Sequence, residues 1–158
     1  MSFLLERDAI NGKDGKAFII RNRQNIELFH LKQLDANAEV KDNEFVVVGT
    51  RIIQKRIDGM MYSGSMTVYY GTPIFLQMLT EYGEGKPLPY FDIQVINNDT
   101  SSTVGKQTVV LRNCKLSGNV PIAKLDAQAN VLESNVSFSF SQVEVINEFH
   151  EPMNYGGQ

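Results

Sequence analysis

The sequence predicts a mainly β domain carrying one packed α-helix. Three observations lead there. Most of the chain alternates polar and apolar residues with the period of two expected of strands. One stretch, about residues 73–82, changes to the helical period instead. The chain has 158 residues, 42% of them hydrophobic and 21% charged. That describes one ordinary globular domain, large enough to hide roughly 70% of its unfolded surface.

The first strand is expected at 16–21 (Lys-Ala-Phe-Ile-Ile-Arg), after a loop holding Gly12 and Gly15. A second spans 25–35, with Ile26, Leu28, His30, Lys32 and Leu34 on one side and Phe29 and Leu31 on the other. Apolar residues on both sides suit a strand covered on each face, in part by a neighbouring subunit. The pair Asp58-Gly59 suits the positive φ angles of a two-residue hairpin turn. It is expected to join 51–57 to 60–70, setting Gln54 opposite Ser63 and Arg56 opposite Met61. Along 60–70, Tyr62, Gly64, Met66, Val68 and Tyr70 share one face, while Met61, Ser63, Ser65, Thr67 and Tyr69 share the other.

The helix has Thr72 as N-cap, Pro73 in the first turn and Gly83 as the left-handed C-terminal cap. Phe75, Met78, Leu79 and Tyr82 form its apolar stripe. Strands follow at 90–96, 107–113, 115–124 and 131–146, with a polar loop over 97–106. In the last strand Val136, Phe138 and Phe140 face inward, and Ser137, Ser139 and Ser141 outward. Residues 151–158 read as an untethered tail. With no repeat and no linker, a single domain covers 1–158. It has an extended N-terminal segment (about 1–15), a projecting loop (about 38–50) and a C-terminal arm (about 147–158).

Catalysis finds no support in the residues. The single Cys114 allows neither an internal disulfide nor a zinc cluster. His30 and His150 are the only histidines, and no motif ties them to that thiol. Gly83-Glu84-Gly85 follows a helix where a phosphate loop would precede one. Glu39, Asp42 and Glu44 lack the glycine and closing glutamate of a calcium loop. No enzyme activity, cofactor or metal is therefore expected. Fifteen basic against eighteen acidic residues, a formal charge of −3, argue against a nucleic-acid-coating surface. The apolar start Phe3-Leu4-Leu5 ends at Glu6, too short for a signal peptide, and no stretch reaches the eighteen apolar residues of a membrane span. A cytosolic product without stable membrane association is expected.

Segment 38–50 begins charged (Glu39, Val40, Lys41, Asp42, Glu44) and ends apolar (Phe45, Val46, Val47, Val48) before Gly49. It reads either as a strand edge belonging to the core or as a projection docking on another copy, since exposed apolar runs mark interfaces.

The run Leu34-Asp35-Ala36-Asn37-Ala38-Glu39-Val40-Lys41 is followed by Val48-Gly49-Thr50-Arg51 and Gly64-Ser65-Met66-Thr67-Val68-Tyr69-Tyr70. With the helix 72–82 and Pro89-Tyr90-Phe91-Asp92-Ile93-Gln94-Val95, this order resembles the tail tube proteins of contractile phage tails, the PBSX-like prophage group in particular. The resemblance spans about 25–145. It implies a β-sandwich or half-barrel with one packed helix, a tail-tube fold similar to the type VI secretion tube protein. It further implies hexameric rings stacked into the inner tube of a virion tail or bacteriocin, assembled in the bacterial host cytoplasm. The implied partners are other copies of the chain, the tail sheath, the tape-measure protein, the baseplate hub and the tail terminator, with DNA passing without specific binding. In that frame Glu39 to Val48 form the subunit and ring interface, and Gln54, Ser63, Ser65 and Thr67 are candidates for the lumen; which sheet face points inward stays open on the sequence alone. A channel for DNA should avoid cations, yet Arg51, Lys55 and Arg56 share the 51–57 strand, so part of it should face protein. The alternative function is a small β-barrel holding an apolar ligand.

Overall fold

The computed structural model describes residues 13, 15–28, 31–70, 73–128 and 131–149. The expected N-terminal segment and C-terminal arm lie almost wholly outside them, as do Phe29, His30, Thr72 and His150. The elements are β1 (Gly15–Arg21), β2 (Gln24–Glu27), β3 (Leu31–Phe45), β4 (Gln54–Tyr69), α1 (Ile74–Gly83), β5 (Phe91–Asn98), β6 (Lys106–Ser117), β7 (Glu133–Phe140) and β8 (Gln142–Asn147). The expected fold class, mainly β with one packed helix, is the observed one.

The strands follow one antiparallel path, β2-β1-β5-β6-β7-β4-β3, with β8 added beside β6. β6 divides that path into two facing layers. Its first part pairs with β5 and β8, whereas Lys115–Ser117 pair with β7. The bend between the parts has a local cause. Phe91 pairs with Cys114 and Ile93 with Leu111, so β6 carries an extra residue, and Asn113 takes φ 57° there. Such a bulge turns a strand and raises its twist. It also lets Leu111 and Cys114, three apart, both point into the core.

The core lies between these layers and α1. Ala17 and Ile19 of β1, Phe91 and Ile93 of β5, Met66 and Val68 of β4, and Val136, Phe138 and Phe140 of β7 are buried there. The helix contributes Ile74, Phe75 and Met78. Its buried stripe is therefore rotated from the expected one: Leu79 is half-buried and Tyr82 exposed. An ion pair from Arg21 to Glu81 ties α1 to the end of β1. The stop signal also lies further on than expected. Gly83 is the last helical residue, and Gly85 takes the left-handed conformation at φ 90°. The Lys86 N–H donates to Glu81 O (3.2 Å) and the Gly85 N–H to Tyr82 O (3.1 Å), the paired bonds of a Schellman cap.

Three strand expectations change. The stretch 25–35 is two strands, because the chain leaves one layer after Glu27, turns with a bond from Leu31 N to Leu28 O, and enters the other as β3. The strand placed at 115–124 ends at Ser117, where Gly118 adopts φ 64°. The strand at 131–146 is broken at Ser141 into β7 and β8.

The largest correction concerns Asp58-Gly59. Gly59 has no left-handed φ and lies inside β4, paired with Lys41. The next pair is Ile57 with Asp42, so Asp58 is an extra residue, a bulge and not a turn. The hairpin closes instead through 46–53. Gln54 accordingly pairs with Phe45, Arg56 with Asn43, Met61 with Glu39 and Ser63 with Asn37.

Candidate assembly surfaces

The register of β3, β4, β7 and β6 sorts their side chains into two faces. Leu34, Ala36, Met66, Gly64, Val136, Phe138 and Leu116 share the core side. The opposite side carries Gln33, Asp35, Asn37, Glu39 and Lys41 from β3, and Thr67, Ser65 and Ser63 from β4. Asn135, Ser137 and Ser139 continue it on β7, and Lys115 and Ser117 on β6. These side chains are polar, and toward the hairpin turn the same face also carries the exposed Met61, opposite Glu39, and Phe45, opposite Gln54. Several satisfy one another: Thr67 Oγ1 donates to Asn135 Oδ1 (2.8 Å), Gln33 Nε2 to Asp35 Oδ2 (2.9 Å) and Lys41 Nζ to Glu39 Oε1 (2.7 Å). The sheet therefore presents a wide polar surface in which acidic and basic groups offset each other.

Gln54, Ser63, Ser65 and Thr67 all lie on this face, Thr67 half-buried and the others exposed. Gln54 reaches it by an unexpected route. Strict alternation along β4 would put an even-numbered residue on the core side, but the extra Asp58 reverses the parity. Of the three neighbouring cations, Arg51 precedes β4 in the turn, Lys55 pairs with Glu44 on the core-side face, and Arg56 shares the polar face.

Beyond Tyr62 the sheet narrows. β7 pairs with β4 only over Tyr62–Tyr69, so among the described residues the distal parts of β3 and β4 have only each other. The segment 38–50 is thus one arm and the turn of a ribbon, with 38–45 in β3. Glu39, Lys41, Asp42 and Glu44 are exposed. So are the apolar Val40, Phe45, Val46, Val47 and Val48. Sequence reasoning missed the second arm and the second half of the turn, where Ile52, Ile53, Ile57 and Met60 stand equally exposed. Their signal was present as an apolar run, hidden by the reading of Asp58-Gly59 as a turn. A two-stranded ribbon alone is marginal in water, and apolar exposure on this scale marks a contact surface.

Cys114 is fully buried, and its Sγ donates to Leu111 O (3.3 Å). Burial, with the nearby Asp92 carboxylate adding to it, pushes the thiol up to about 12, which leaves it a packing group. Arg112 ties three strands together through Asp92 on β5 (3.0 Å) and Glu144 on β8 (2.7 Å). Among the described residues no cluster of His, Cys, Asp and Glu is arranged to hold a metal ion, and no helix is long and apolar enough to cross a membrane.

The family model for the phage tail tube protein matches residues 2–147. The chain belongs to the phage tail tube protein family. This tail tube protein is 30% identical over 142 residues to the phage-like element PBSX protein XkdM of Bacillus subtilis (strain 168), covering 90% of this chain and 93% of that one. In fold it is similar to a chain of the PVC extracellular contractile injection system sheath–tube complex in its extended state. The TM-score is 0.63 at 12% identity, with 87% of this chain and 90% of that chain covered. A chain of the anti-feeding prophage baseplate gives 0.62 at 13% identity, covering 93% and 98%. The SPP1 tail tube gives 0.61 at 11%, covering 94% and 84%. The tail tube family is structural, and its members are not known as enzymes.

Proposed function

We propose that this tail tube protein forms the inner tube of a contractile tail or tail-like particle, as hexameric rings stacked into a hollow channel. The carrying observation is the polar face shared by β3, β4, β7 and β6 where these strands pair with one another, with a packed core behind it. A sheet of this kind can line a water-filled channel, with Gln54, Ser63, Ser65 and Thr67 toward the lumen. Its mixed charges give passing DNA no run of cations to hold it. The exposed ribbon, from Glu39 through Val48, makes the contacts between subunits and rings. A sheath outside, a tape-measure protein within during assembly, and hub and terminator proteins at the ends complete the particle, which assembles in the bacterial cytoplasm. The prophage-element relative and the sheath–tube and baseplate neighbours support this reading. The ligand-binding barrel is disfavoured, since a barrel must close and the strand path among the described residues ends open at β2 and β3.

Negative-stain microscopy and sedimentation of the purified protein test the proposal. Rings and hollow tubes growing with concentration are expected. A monomer at every concentration, absent from the axis of sheath-bearing particles, would overturn it.

A further inference from the structure

Asp58 occupies a lightly held point of the ribbon. It is the extra residue of the bulge, left over while Ile57 pairs with Asp42 and Gly59 with Lys41. Its side chain is exposed, and among the described residues the carboxylate has neither a hydrogen-bond nor an ion-pair partner. The space around Gly59 is open: a β-carbon added there would meet nothing within 4 Å. Other carboxylates are held. Asp92 accepts from Arg112 and from the Asn113 N–H, Asp35 accepts from Gln33, and Asp99 is buried. Among the described Asp and Asn residues, only Asp58 is followed by glycine.

These are the conditions for a reaction between a side chain and its own backbone. An aspartate Cγ and the next residue's amide nitrogen can close a five-membered ring if they come together. A regular strand ladder holds them apart, and a side chain on the following residue crowds the approach. Glycine removes the second obstacle. The first is weak here. Among the described residues only β3 pairs with this part of β4, and a two-stranded ribbon by itself opens easily.

We propose that Asp58 is a site of spontaneous modification, converting to isoaspartate in the unassembled subunit. The Gly59 nitrogen bonds to Asp58 Cγ and gives up its proton, and one water leaves as the succinimide forms. A second water then opens the ring at the former backbone carbonyl and returns the proton to the nitrogen. The main chain now runs through Cβ and Cγ, and the α-carboxylate becomes the free acid. One water is lost and one gained, nothing is oxidised, and the net charge is unchanged. The added methylene enters the main chain at the residue whose insertion sets the parity of Gln54–Ile57. Resting on the tube reading above, a chain so altered carries a ribbon of changed register and joins tubes poorly. The time a subunit spends unassembled then counts against it.

Peptide mapping of the whole protein tests this. Folded wild type held for weeks at neutral pH should accumulate isoaspartate at position 58, read by electron-transfer fragmentation of the tryptic peptide that begins at Ile57. Gly59→Val crowds the amide with a branched side chain and should lower the yield on the order of tenfold, with the melting temperature kept. Asp58→Asn reaches the same succinimide by losing ammonia, and its intact mass should change faster than weeks. Folded wild type with no isoaspartate at 58, where the urea-unfolded chain acquires it, would overturn the proposal. So would a yield that Gly59→Val leaves unchanged. Aged wild type should form fewer tubes than fresh wild type, and aged Gly59→Val as many as fresh Gly59→Val. Isoaspartate-bearing chains that enter tubes as readily as fresh ones would overturn the effect on assembly and leave the tube reading intact. A fresh chain that forms neither rings nor tubes would overturn the tube reading, while the peptide map still decides the modification.

Discussion

Phe138 sits across from Gly64 so closely that a β-carbon on the glycine would stand 2.5 Å from the ring's Cζ and 2.6 Å from the Asp35 carbonyl oxygen. The ring covers the one position in the core side of β4 that has no side chain of its own. Phe138 in turn lies 6.0 Å from Phe140, which stacks on Tyr62 at 5.1 Å. This aromatic row closes the core at the point where the sheet gives way to the projecting ribbon.

Gly64→Ala should therefore destabilise the subunit. Part of the conflict is with backbone, which cannot rotate away, and overpacking of this kind costs about 1–3 kcal/mol. Thermal denaturation should show a fall of several degrees, at roughly 2–4 °C per kcal/mol for a domain of this size. An unchanged melting temperature would mean that β3 and the ring shift aside freely.

Replacing the distal ribbon, residues 40–57, by a short Gly/Ser linker should leave the melting temperature nearly unchanged. Among the described residues its strands pair only with each other, and exposed substitutions usually stay within about 0.5 kcal/mol. Tube formation should be lost. Unfolding of the shortened monomer in calorimetry would return Phe45 and the valines to the core.

Ser63→Lys with Ser65→Lys places two cations on the polar face. Both sites are exposed, so folding and assembly should persist, while tubes should acquire affinity for duplex DNA that falls steeply with salt. Filter binding of DNA to preformed tubes reads the effect. Tubes whose DNA retention does not change would place that face away from the channel.

Cys114 predicts an alkaline weakness. Its thiol is raised from 9.0 to about 12 in the folded chain, so between those values the unfolded chain has released a proton that the native one retains. Stability is then fully present below about pH 9 and declines as pH rises toward 12. Urea titrations across that window should show the decline, reduced in Cys114→Ala relative to its own value at pH 8. A slope identical in both proteins would assign the alkaline loss to other groups.

What was legible in the sequence was whatever a single strand declares by itself. On β7 the alternation of Val136, Phe138 and Phe140 with serines survives because one face is buried and the other wet. The tail tube resemblance, carried by segment order, named the family. Features that depend on two strands at once stayed hidden. Asp58-Gly59 has the composition of a turn, but whether it turns or bulges is decided by its pairing with Lys41 and Asp42. The same applies to Asn113, whose left-handed φ makes sense only against Phe91 and Ile93. Conversely Asn22 and Arg23, with φ 51° and 63°, make a two-residue hairpin turn without any glycine to announce it. At the helix end two glycines competed, and hydrogen bonding to Glu81 and Tyr82 selected Gly85.

The strand shared by both layers has a mechanical meaning. In a column of subunits stacked as proposed above and driven lengthwise, the layers of a simple sandwich could slip over one another through their greasy contact. Here β6 runs from one layer into the other, bonded to β5 on one edge and to β7 and β8 on the other. Slip would have to shear those ladders together instead of unzipping them rung by rung. Each subunit then behaves as a strut, passing thrust along its length with little give.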